Sequence, residues 1–156
     1  MYKRQAYALA NKTVVMPDKF YHYVMEIDSA THEFNSAEAR AKKLDAHMRM
    51  LEEVLEDWAA YGLLGLCPGE LVTWFLDLIV FDLARLDADD FHRVAGRVNR
   101  AFTTFLGTEW ADAPAKGAVR RVAHKLVAAT SGVSMVDATL FYLSTRGLKA
   151  CLERFI

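Results

Sequence analysis

The chain has 156 residues, 53% of them hydrophobic and 25% charged, a composition that fits one globular domain and excludes a disordered or low-complexity protein. The net charge of −1 hides a division at Asp90: residues 1–90 hold nine Lys/Arg against sixteen Asp/Glu, and residues 91–156 hold ten against four, giving nets of −7 and +6. Two readings follow: acidic and basic helices facing each other within one fold or between copies, or a basic surface for nucleic acid or an acidic partner.

The most apolar run, Leu71 to Leu86, contains Asp77 and Asp82. Each would cost about 2.5–3.5 kcal/mol at a bilayer centre, so no membrane span is expected. The N-terminus has a short positive start but no apolar stretch of signal-peptide length, which predicts a cytoplasmic protein. Cys67 and Cys151 are isolated in sequence; this pattern favours free or buried thiols over a disulfide framework, with a bond between the two left open.

In chain order, Thr13-Val14-Val15-Met16 reads as a short extended piece ended by Pro17. Asp18 then caps a helix with apolar positions Phe20, Val24, Ile27, Thr31 and Phe34, and a β-hairpin with residues 13–16 is its rival. Asn35 and Glu38 fit a capping box opening the next helix. There Ala37, Ala41, Leu44, Met48, Leu51, Leu55 and Trp58 form a heptad seam, which serves either a coiled-coil homodimer or, the favoured reading, packing inside the chain. Asp45–Arg49 and Arg49–Glu53 stand at i,i+4 on its charged side. Gly62 and Gly65 close the helix.

Pro68 opens the Leu71–Leu86 helix, whose all-round apolarity predicts a central, enclosed element. Helical projection sets Asp77 beside Glu70, Thr73 and Ala84 on the least apolar side, and Asp82 among Leu71, Phe75, Leu78 and Leu86. A buried carboxylate has to be paired, protonated or part of a site. Asp82 therefore reads as one half of a structural ion pair, with Arg85 or an arginine of another helix, or as a functional carboxylate in a cleft.

The second half holds two basic amphipathic helices. The first buries Phe91, Val94, Ala95, Val98, Phe102, Phe105 and Leu106 and ends near Gly107, with Arg93, Arg97 and Arg100 along one edge. The second, after Trp110 and Pro114, turns Val119, Val122, Ala123, Leu126 and Val127 inward, leaving Lys116, Arg120, Arg121, His124 and Lys125 for solvent or a partner. Arginines so spaced can grip successive phosphates. The turn Ala128–Ser134 followed by a helix from Met135 resembles a helix-turn-helix, with Ser134 as cap. The second helix lacks side chains that read base edges, however, and Asp137 would repel phosphate. A plain αα-hairpin with Gly132 in a left-handed cap is the favoured reading. Gly147 should interrupt the last helix, after which Leu148, Cys151, Leu152 and Phe155 offer an apolar face to dock.

The pairs His22/Glu26, Asp28/His32 and Asp89/His92 have helical spacing but match no zinc or di-iron signature. No phosphate loop, nucleophile elbow or Cys–His arrangement is present in the sequence. The residues therefore predict an all-α single domain over 1–156, a compact bundle of five or six helices with a short extended or hairpin segment near the N-terminus. The expected function is a non-enzymatic regulatory or assembly protein that takes no cofactor or metal. It would bind another protein or nucleoprotein complex through Arg93, Arg97, Arg100, Arg120, Arg121 and Lys125. Nucleic-acid binding by the same half is the alternative, and a metal-binding helical enzyme built around Asp82 and the histidines is the third reading.

Overall fold

The computed structural model describes residues 37–129 and 131–155. The extended piece at 13–16, the helix from Asp18 to Phe34 with its hairpin rival, and the Asn35 cap lie outside them. The described residues hold five α-helices and no strand: α1 (Ala37–Ala60), α2 (Pro68–Leu83), α3 (Ala88–Leu106), α4 (Gly117–Ala128) and α5 (Met135–Phe155), with a 3-10 turn at Trp110–Asp112. None of these helices is long and apolar enough to cross a membrane. The chain divides into two units, Met1–Ala41 and Lys42–Ile156, and the core described next is that of the second.

The heptad seam packs inside the chain. Leu44, Met48, Leu51 and Leu55 are buried, Val54 widens the stripe, and Trp58 is half-buried against the same core. Burying each such side chain is worth about 1.5–3 kcal/mol. The helix ends in a Schellman motif, with Gly62 N donating to Ala59 O at 3.1 Å and Leu63 N to Trp58 O at 2.8 Å. Gly62 holds φ at +67°, a conformation that favours glycine.

Helix α2 is the enclosed element: Leu71, Val72, Phe75, Leu76, Ile79, Val80 and Leu83 are all buried. Pro68 opens it, and Gly69 lies so close to the loop after the 3-10 turn that a Cβ there would stand 2.4 Å from Ala113 O. The helix stops at Leu83, short of the expected Leu86. The 84–86 turn bonds back onto it, and Asp87 already caps α3 by accepting from Asp90 N at 2.8 Å.

Phe75 meets Phe102 edge-on at 5.8 Å between ring centroids, and Phe102 stacks on Trp110 at 4.8 Å. The buried Trp110 indole satisfies its N–H on Asn99 Oδ1 at 2.9 Å, which anchors the 3-10 turn between α2, α3 and α4.

Three local expectations need correction. The left-handed residue after α4 is Ala129, at φ +50°, while Gly132 has no positive φ. Val127 is exposed, because it stands at the rim of the buried stripe of α4, one position past the fully buried Leu126. Gly147 does break α5, at φ +86°, but of the predicted face beyond it Leu148 and Leu152 are exposed and Cys151 is buried, while the side chain of Phe155 lies outside the described residues. A non-helical residue redirects the helix, so the apolar face after it does not continue the one before it. Both cysteines are free.

Candidate functional site

The six basic residues do not form one surface. Arg97 is engaged by the acidic side of α1: its Nε and Nη2 donate to the two oxygens of Glu52 at 2.9 and 3.0 Å, and Nη1 donates to Asp45 Oδ1 at 2.6 Å. The fork suits planar carboxylates. Hydrogen bonding to Glu52 raises the Arg97 pKa well above its usual value, and hydrogen bonding to Arg97 lowers that of Asp45. Arg93 pairs with Asp90 on its own helix at 2.8 Å. The basic edge of α3 is thus partly joined to the acidic face of α1, where Arg49 also meets Asp45 at 3.0 Å. Part of the charge division is therefore internal pairing. Arg100 is exposed and meets no carboxylate among the described residues.

Lys125 is likewise engaged. Its Nζ donates to Asp137 Oδ2 at 2.6 Å, and that oxygen also accepts from Ser134 N at 2.9 Å and Ser134 Oγ at 2.6 Å. Asp137 N donates to Ser134 Oγ at 3.1 Å in return, completing a capping box with Asp in the third position. Burial works against the charge on Asp137, but the Lys125 and Ser134 hydrogen bonds outweigh it and hold the pKa at about 2. Ser134 caps the helix, and this polar cluster ties α4 to α5.

Arg120 and Arg121 remain. Both are exposed on the outer side of α4 with no carboxylate partner among the described residues. Arg121 lines a groove of about 540 Å3 between α4 and α5, together with Leu140, Leu143 and Ser144. One helical turn before Leu140 stands Val136, and both are exposed, at 67% and 40%. Leu140 and Leu143 of α5 therefore lie beside the Arg121 side chain of α4 in one groove.

Asp82 is one half of an ion pair. Its Oδ2 accepts from Lys43 Nζ at 2.8 Å, and its side chain is only 10% exposed. The partner is a lysine of α1 rather than Arg85 or an arginine. The same two residues act on His47, whose pKa is lowered by burial and by Lys43 against the opposing effect of Asp82. His22/Glu26 and Asp28/His32 lie outside the described residues. In the third pair, His92 Nδ1 lies 3.4 Å from Ala129 O, at the end of α4. No group of three potential metal-ligating side chains occurs among the described residues.

Two pairings had no sequence signal: Arg146 with Asp77, and His124 Nε2 with Asp112 Oδ1 at 2.9 Å. Each joins residues whose proximity only the tertiary fold creates. No family model, curated protein or solved structure matches the chain.

Proposed function

We propose that this chain is a non-enzymatic, cytoplasmic interaction protein, a regulator or assembly factor that binds an acidic segment of another protein on the α4/α5 face. The observation that carries the reading is the juxtaposition in one groove of Arg121, without a carboxylate partner among the described residues, with exposed Leu140 and part-buried Leu143. Interfaces combine arginine with apolar contacts, and clustered exposed apolar side chains mark interaction surfaces. Arg120 extends the positive charge along α4. Arg97 and Lys125 serve the fold, and Arg93 and Arg100 lie on another helix, α3. The contact set is thereby narrowed to Arg120 and Arg121.

Nucleic acid would use the arginines without the leucine. The test is fluorescence-anisotropy binding of an amphipathic Glu/Leu helical peptide and of short duplex and single-stranded DNA and RNA across a salt series. Arg120→Glu/Arg121→Glu and Leu140→Glu are compared with the parent chain. Peptide binding lost in both variants supports the proposal. Salt-sensitive nucleic-acid binding that is lost in the arginine variant and retained in Leu140→Glu would instead establish the alternative. Binding of neither probe would remove this face from the account.

A further inference from the structure

A second concavity, of about 400 Å3, lies between the first half of α2, residues 115–116 and the end of α5 before its kink. Its walls carry opposite charge. On α2, Glu70 and Trp74 are four residues apart and Asp77 follows three later, so the three side chains share one helix face with the indole between two carboxylates. Facing them are Lys116 and Arg146.

The two cations are held in place but not exhausted. Lys116 Nζ donates to Ser144 O at 2.7 Å, which leaves two of its three N–H groups. Arg146 Nη2 donates to Asp77 Oδ2, leaving the rest of a five-donor guanidinium that is more than half exposed. Left-handed Gly147 ends the helical run immediately after Arg146. Opposite, among the described residues, Glu70 is exposed and meets no cation, and Asp77 Oδ1 is buried without a hydrogen-bond partner. A buried acceptor left without a donor costs about 1–3 kcal/mol. Trp74 is 39% exposed in this concave setting, where its ring offers a face to a cation or an apolar side chain.

A simple cation entering here meets Lys116 and Arg146, and a simple anion meets Glu70 and Asp77. Only a ligand carrying both charges meets an attractive wall on each side. The geometry points to a binding site for a free α-amino acid: its ammonium sits against Glu70 and the Asp77 side, its carboxylate against Lys116 and Arg146, and its side chain lies on Trp74. Small-molecule sites commonly combine such a cavity with a few convergent polar groups.

The test is a titration of the full chain with the proteinogenic α-amino acids at millimolar concentration, following the indole N–H resonance of Trp74, which Trp74→Phe assigns. The expected result is a saturable shift with at least one amino acid. The corresponding amine without the carboxylate, and the acid without the amine, should each bind about tenfold or more weakly, a difference of at least 1.4 kcal/mol. Glu70→Gln and Lys116→Met should weaken binding similarly, and Glu70→Gln, which breaks no contact among the described residues, should leave the thermal midpoint in place. If no amino acid moves the resonance, the proposal is overturned. It is equally overturned if the amine alone binds as well as the amino acid, or if both variants bind normally.

Discussion

Lys43 on α1 reaches Asp82 on the otherwise apolar side of α2, with Nζ and Oδ2 2.8 Å apart. The carboxylate is nearly enclosed and the ammonium is about a third exposed, so the two partners are not equivalent. Lys43→Met leaves a buried charge without its partner and should cost about 1–3 kcal/mol. Adding Asp82→Leu removes the orphaned charge, and the double variant should recover most of that loss. Urea unfolding midpoints of the two single variants and the double variant check this. A double variant less stable than Lys43→Met would mean that Asp82 does something in the fold besides pairing.

The arginines divide into structural and available groups, and stability measurements separate them. Arg97→Ala breaks a two-pronged contact with Glu52 and a third bond to Asp45, and should cost about 1–3 kcal/mol, as hydrogen bonds to charged groups do. Arg120→Ala and Arg121→Ala break no hydrogen bond or ion pair among the described residues and should stay within about 0.5 kcal/mol of the parent. Thermal unfolding of the three variants at low and high salt distinguishes them, because only the Arg97 contribution should shrink as salt screens its partly exposed pairs. An unchanged midpoint for Arg97→Ala would return that residue to the interaction surface.

The periodic parts of this fold are legible in the sequence because burial follows helical geometry. Phe91, Val94, Ala95, Val98 and Phe102 are buried on α3, and Leu44 to Leu55 on α1, as their spacing requires. What escapes is whatever depends on a distant partner. Asp82 is recognisable as a buried carboxylate, yet nothing local names Lys43, 39 residues away. Asp77 sits on the less apolar side as projected, but its pairing with Arg146 and the two-signed groove that results come from α5 docking on α2. Local signals also mislead where two compete. Gly132 is the better left-handed residue, but α4 ends at Ala128 and the turn needs positive φ at Ala129.

Asp137 should make the chain acid-sensitive over a defined interval. Its folded pKa of about 2 lies below the ordinary carboxylate value of 3.8, so the carboxylate contributes stability above pH 4 that is lost as pH falls towards 2, on the order of 2 kcal/mol in all. Asp137→Asn should flatten that part of the stability–pH profile while lowering stability at neutral pH. Lys125→Met should shift the same transition towards higher pH. Chemical denaturation between pH 2 and 6 measures it, and a profile unchanged in Asp137→Asn would assign the acid transition to other carboxylates.

His47 gives a second, separate titration. Burial and Lys43 lower its pKa from 6.5, so the folded chain favours the neutral ring and the unfolded chain takes up a proton first. Stability should therefore be complete above pH 6.5 and begin to fall below it, the direction expected of a base whose folded pKa is depressed. His47→Leu should remove this slope. Lys43→Met should reduce it, because it removes the positive charge that disfavours protonation and leaves Asp82 to favour it. A steeper slope in Lys43→Met would reverse the assigned electrostatics.

Ala129 at φ +50° is the strained position of the α4/α5 turn, and Gly69 against Ala113 O is the tight one of α2. They predict opposite responses to exchanging alanine and glycine. A left-handed non-glycine residue costs about 1–2 kcal/mol, so Ala129→Gly should recover up to about 1 kcal/mol after the entropy that glycine adds to the unfolded chain. Gly69→Ala places a methyl group 2.4 Å from a backbone oxygen, and relieving that clash should cost about 1–3 kcal/mol. Because Gly69 also lines the amino-acid groove, the shift should weaken ligand binding there while leaving the α4/α5 face unaffected. Thermal midpoints of the two variants, read beside the Trp74 titration, check the pair. A stabilised Gly69→Ala would show that α2 and the 113–114 loop can separate without cost, and would remove the rigid wall on which the groove depends.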